Sequence, residues 1–114
     1  MNERIENILT HMLEDARDAL HFSKQAASFE VFCGDSMIRK AVIMSLLNIG
    51  ELAAHLPQNY IQSNDTILWK AMIGMRNLAA HGYHIMNLEI VWDTVLNSIP
   101  ELIAFLEKEL TQQA

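Results

Sequence analysis

Apolar residues recur at three- and four-residue steps along nearly the whole chain, which is the period of amphipathic helices and not of strands. The first run, Ile5, Ile8, Leu9, Met12, Ala16, Ala19 and Leu20, is interleaved with acids and bases and predicts a long opening helix. CGDS (Cys33 to Ser36) breaks the pattern, and Asp35 or Ser36 is placed to cap a second helix. On that helix Ile38, Val42, Ile49, Leu52, Ala53 and Leu56 share a face. Just before it, QAASFEVF (Gln25 to Phe32) predicts a separate short helix. Pro57 stops the second helix, and PQNYIQSND reads as a polar connection. A third helix, capped by Asn64, Asp65 or Thr66, runs through Leu68, Ala71, Met72, Met75, Leu78 and Ala79. It ends near Gly82, a residue suited to a left-handed C-terminal turn. The fourth is capped near Asn87 and carries Leu88, Val91, Trp92, Val95, Ile99, Leu102, Ile103, Leu106 and Leu110, with Pro100 expected to kink it or start a new turn. Amphipathic helices with short connections predict an all-α, antiparallel four-helix bundle with one extra short helix. The expectation is a single helical domain over residues 1–114.

Composition narrows the function classes. Hydrophobic residues make up 51% of the chain and charged ones 19%, with four Gly and two Pro, which argues against disorder. No apolar run approaches the roughly 18 residues of a membrane span, and MNERIENILTH is acidic and amphipathic, unlike a signal peptide. A cytoplasmic protein with no membrane partner is expected. The one cysteine, Cys33, has no internal disulfide partner and reads as a small core residue. The formal net charge is −6, and Arg39 and Lys40 are the only adjacent basic pair. Proteins that grip long nucleic acids non-specifically carry a basic stripe. Nucleic-acid chemistry in this chain must therefore rest on a small local footprint.

That footprint falls in GMRNLAAHGYHI (Gly74 to Ile85). On a regular helix at about 100° per residue, Leu68, Ala71, Met72, Met75, Leu78 and Ala79 form one apolar arc. Arg76, Asn77, His81 and Tyr83 fall away from it, with Asn77 and His81 one turn apart. The same outer side carries Trp69, Ile73, Gly74 and Ala80, a set unsuited to open solvent. A second copy of the bundle is the simplest cover, which predicts a homodimer with Trp69 and Ile73 in its seam. Arg76 and His81 would then line a cleft there.

Arginine beside histidine suits phosphodiester chemistry. A guanidinium holds a phosphate through two N–H groups and keeps its charge at any working pH. An imidazole titrates near neutrality and can move the proton of an attacking hydroxyl or a leaving oxygen. With RNA the ribose 2′-hydroxyl can be the nucleophile, so neither metal nor cofactor is needed. Glu51 and His55 are one turn apart on the second helix, a spacing open to metal ligands, but no second such pair completes a bundle site. No Gly-rich phosphate loop and no CxxC is present.

The stretch Arg76-Asn77-x3-His81-Gly82-Tyr83 resembles the Arg-x4-His-x-Tyr signature of HepT-like toxins of the HEPN superfamily. NIGELAAHLP (Asn48 to Pro57), the approach from Trp69 to Asn77, and LEIVWDTVLNSIPEL (Leu88 to Leu102) extend the similarity over roughly the last two thirds of the chain. The resemblance implies a homodimeric all-α bundle acting as a metal-independent ribonuclease toxin. Its partner would be a nucleotidyltransferase antitoxin able to transfer AMP to the motif tyrosine, Tyr83. By position, Arg76 would bind phosphate, His81 would serve acid–base catalysis, and Asn77 would be the supporting polar residue. Glu51, in the IGE part of the similar stretch, would line the dimer seam or cap a polar contact inside it. Where such proteins often show an aspartate before the last helix, this chain has Asn87, which caps about as well. The acidic charge supports a second expectation, a non-catalytic nucleotide-binding or adaptor protein of the same superfamily.

Overall fold

The computed structural model describes residues 2–67, 69–82 and 86–112, the side chains of 77–82 excepted. Its helices are α1 (Glu3–Ser23), α2 (Phe29–Gly34), α3 (Ser36–Ala54), α4 (Gln58–Ser63), α5 (Trp69–Gly82), α6 (Leu88–Asp93) and α7 (Ile99–Gln112). A five-residue π-helical turn, Thr94–Ser98, joins α6 to α7. The architecture is an all-α bundle. α1 packs on α3 and α7, and α3 packs in turn on α5. Among the described residues no helix is long and apolar enough to cross a membrane.

Local chemistry places the helix starts. Asn2 caps α1 by accepting from the Ile5 N–H at 2.8 Å. Asp35 separates α2 from α3 in an extended conformation, and its Oδ1 accepts from Met37 and Ile38 N–H at 3.0 and 3.1 Å. These bonds satisfy donors that the helix leaves unpaired. Asn87 does the same for α6, accepting from Glu89 and Ile90 N–H at 2.9 and 3.3 Å. The expected exchange of an acid for Asn87 thus leaves the cap intact.

Pro57 ends the second long helix and also opens α4 as its N-cap. PQNYIQSND is therefore not only a polar connection, because its middle is helical. Pro100 sits in the first turn of α7. The wide turn before it, in which Ile99 N–H reaches back to Thr94 O, lets the helical path continue through a residue that has no N–H to donate.

In α1, α3 and the C-terminal helices the core is the side that the periodicity marked. Leu9, Met12, Ala16 and Ala19 of α1 meet Val42, Leu46, Ile49 and Ala53 of α3, with Val91, Val95, Ile99, Leu102 and Leu106 closing from the C-terminal third. Each large aliphatic side chain buried there contributes about 1.5–3 kcal/mol of transfer free energy. Phe32 of α2 is fully buried, with its ring 5.0 Å from that of Trp92.

One helix is rotated from expectation. Trp69, expected on the outer side of α5 and at a dimer seam, is only 3% exposed inside this chain. Its ring stands edge-on to Phe105 of α7 at 5.9 Å and lies 6.4 Å from Tyr60 of α4. Its indole N–H donates to Asn64 O at 3.0 Å. Ala71, expected inside, is exposed. Ala71 and Met75 instead edge a small hollow of about 60 Å³ between α3, α5 and the π turn. The cover for the tryptophan comes from α7 and from α4, the element hidden in the supposed connection. Leu68, Tyr83 and His84 lie outside the described residues, as do the side chains of Asn77, Leu78, Ala79, Ala80 and His81.

Candidate functional site

The site is organised by the crossing of α3 and α5. Gly50 is buried at that crossing. A Cβ placed on it would lie 2.5 Å from Met72 O and 2.9 Å from Arg76 Cβ. Any larger residue would push the helices apart, so a residue that weakens a helix interior by about 1 kcal/mol is tolerated for the sake of close approach. The backbone of Arg76 is thereby held directly over the C-terminal half of α3.

The next residue along α3 uses that proximity. Glu51 Oε1 lies 3.5 Å from Arg76 Nη1, and Glu51 Oε2 lies 4.0 Å from His55 Nε2. The Arg76 side chain is 31% exposed and that of Glu51 49%. The arginine is thus mostly buried, with a carboxylate beside its guanidinium. Arg4 of α1 reaches the same end of α3, its guanidinium directed at His55 O across 3.5 Å. A cationic group so placed can hold an anion of phosphate size from solvent.

Of the Glu51–His55 pair, open in sequence to metal binding, Glu51 faces Arg76. Among the described residues no group of three His, Cys, Asp or Glu could hold a metal ion. Of the expected seam residues, Ile73 is half-buried against the chain's own core. Glu51 is at the surface next to Arg76, and Trp69 is inside. His81 follows Arg76 on the same continuous helix, since α5 runs unbroken to Gly82.

Gly50 and the Glu51–Arg76 ion pair were not singled out as a unit from the sequence. A glycine inside a helical pattern does signal a close approach. The pairing across 25 positions has no local signal, because it depends on how two helices cross.

The Ribonuclease HepT-like family profile matches residues 3–109. The chain is 35% identical over 104 residues to "Putative RNase MJ0127" of Methanocaldococcus jannaschii, covering 91% of this chain and 85% of that protein. It is 35% identical over 94 residues to "Putative RNase TTE0752" of Caldanaerobacter subterraneus, covering 82% and 83%. It is 31% identical over 99 residues to "Probable ribonuclease HepT" of Thermococcus cleftensis, covering 84% and 90%. No solved structure matches at a significant level.

Proposed function

Because the chain belongs to the HepT-like ribonuclease family, we propose that it is a metal-independent endoribonuclease whose Arg76 binds the scissile phosphate and whose His81 moves the proton. The observation that carries this reading is the mostly buried Arg76, held at the α3–α5 crossing by Gly50 and flanked by Glu51. In the proposed reaction the ribose 2′-oxygen attacks phosphorus and the bond to the 5′-oxygen breaks. A 2′,3′-cyclic phosphate and a free 5′-hydroxyl result. The 2′-hydroxyl proton passes to a base, and the leaving oxygen takes up a proton. An imidazole suits either transfer. Asn77, one turn before His81, would hold the ring in one tautomer.

Two copies of the chain would bring two such sets together in one cleft. Ile73 and Glu51 remain its proposed contributors, and Met44, 57% exposed and two turns before Glu51 on α3, supports an apolar margin beside them. In this proposal the protein is the toxin half of a two-component pair. A nucleotidyltransferase antitoxin would neutralise it by attaching AMP to Tyr83.

Purified protein incubated with RNA in EDTA should yield 2′,3′-cyclic phosphate ends, and His81→Ala and Arg76→Ala should abolish them. Cleavage that survives His81→Ala, or that stops when EDTA is added, would overturn the mechanism.

A further inference from the structure

Glu51 sits oddly beside a phosphate-binding arginine. An exposed ion pair contributes little to stability, so folding offers weak reason for this carboxylate. A negative charge a few ångströms from the guanidinium opposes the arrival of a phosphate. It also occupies part of the group that would bind it, since Oε1 faces Nη1 at 3.5 Å. A guanidinium offers five N–H groups in a rigid fork, so a partner on one edge fixes where the others point. Gly50 keeps the two helix backbones at fixed separation there, so this pair is set by the fold. The second carboxylate oxygen lies 4.0 Å from His55 Nε2, beyond hydrogen-bond reach, so Arg76 is the nearer charged neighbour of Glu51.

We infer that Glu51 is a positioning and specificity residue for RNA: its carboxylate orients the Arg76 guanidinium toward a single phosphodiester, and its charge weakens the hold on RNA that does not seat a phosphate there. The inference rests on the ribonuclease reading for its substrate. Its two effects separate by substitution. Glu51→Gln removes the charge but keeps an oxygen that can accept from Nη1. Glu51→Ala removes both.

The test uses the full chain, a short RNA with 2′-O-methyl riboses that cannot be cleaved, and the same RNA unmodified. Fluorescence anisotropy should show Glu51→Gln binding the methylated RNA about fivefold more tightly than wild type, equivalent to roughly 1 kcal/mol. On unmodified RNA its KM should fall while kcat stays within about twofold of wild type. Glu51→Ala should bind more tightly too, yet lose about tenfold in kcat because the guanidinium is no longer aimed. In an Arg76→Ala background the gain in binding from Glu51→Gln should vanish, which identifies Arg76 as the residue acted through. Glu89→Gln, which removes an exposed acid elsewhere, should change nothing.

Unchanged binding in Glu51→Gln, the same gain without Arg76, or no measurable binding by any variant each overturns the inference. A kcat loss in Glu51→Ala matched by a loss of folded protein does so as well. If wild type binds as described but cleaves nothing, the ribonuclease reading fails while the binding role of Glu51 stands.

Discussion

Gly50 and Arg76 meet with no room between them: a Cβ on the glycine would stand 2.9 Å from Cβ of the arginine and 3.3 Å from its backbone nitrogen. This contact sets the separation of α3 and α5 and so the reach of Arg76 over Glu51.

Gly50→Ala is expected to destabilise the fold and to reduce activity together. Overpacking against helix backbone costs about 1–3 kcal/mol, and the better helix propensity of alanine returns up to about 1 kcal/mol. The melting temperature should fall by roughly 4–8 °C for each net kcal/mol in a chain of this size. Differential scanning fluorimetry measures the first effect and RNA cleavage at a temperature where the variant is folded measures the second. A melting temperature at or above that of wild type would show that the crossing yields easily.

Trp69 is expected to behave as a core residue. Trp69→Ala removes a side chain that is 3% exposed and leaves Asn64 O without the indole donor. A loss of about 3–5 kcal/mol is expected, a large share of the roughly 5–15 kcal/mol by which a domain is ordinarily stable. Circular dichroism melts check it. A variant that stays as stable as wild type but becomes monomeric would return Trp69 to the seam.

Asp15 carries a pH signature. Burial raises its carboxyl above the ordinary value of 3.8, the hydrogen bond from Asn48 opposes this, and Asp18 and Glu14 raise it further. A carboxyl whose pKa is raised by folding binds its proton more tightly in the folded state. Its contribution is therefore present below the unfolded value near 3.8 and is lost as pH rises through the higher folded value. Asp15→Asn keeps an acceptor for Asn48 and cannot ionise. It should melt higher than wild type at pH 7, with the difference closing below about pH 3.8. Melting curves across that range test the sign, and a variant less stable at pH 7 contradicts it.

Assembly and neutralisation form the last pair of expectations. Light scattering should give a dimer of the 13.0 kDa chain, and a monomer at all concentrations would remove the two-copy cleft. Incubation with the proposed nucleotidyltransferase partner, ATP and magnesium should add AMP-sized mass to wild type and none to Tyr83→Phe. A phosphate so attached would compete for the charge of Arg76. Mass added equally to Tyr83→Phe would place the modification elsewhere.

The helical class, the breaks at Asp35 and Pro57, the cap at Asn87 and the core faces of the first, second and last long helices were legible in the sequence. Each depends on chemistry within a few residues: a side-chain oxygen meeting unpaired N–H groups, a proline without a donor, an apolar stripe at helical spacing. That Arg76 and His81 share one helix was legible for the same reason. The rotation of α5 was not. That helix carries apolar residues on nearly every side, and the pattern placed Ala71 inside and Trp69 outside. Tertiary packing decided between them: Tyr60 and Phe105 close around the indole, and Gly50 lets α3 press against the Met72–Arg76 face. The partner of Arg76 was decided at the same crossing, because an ion pair between residues on separate helices depends on the distance at which their backbones pass.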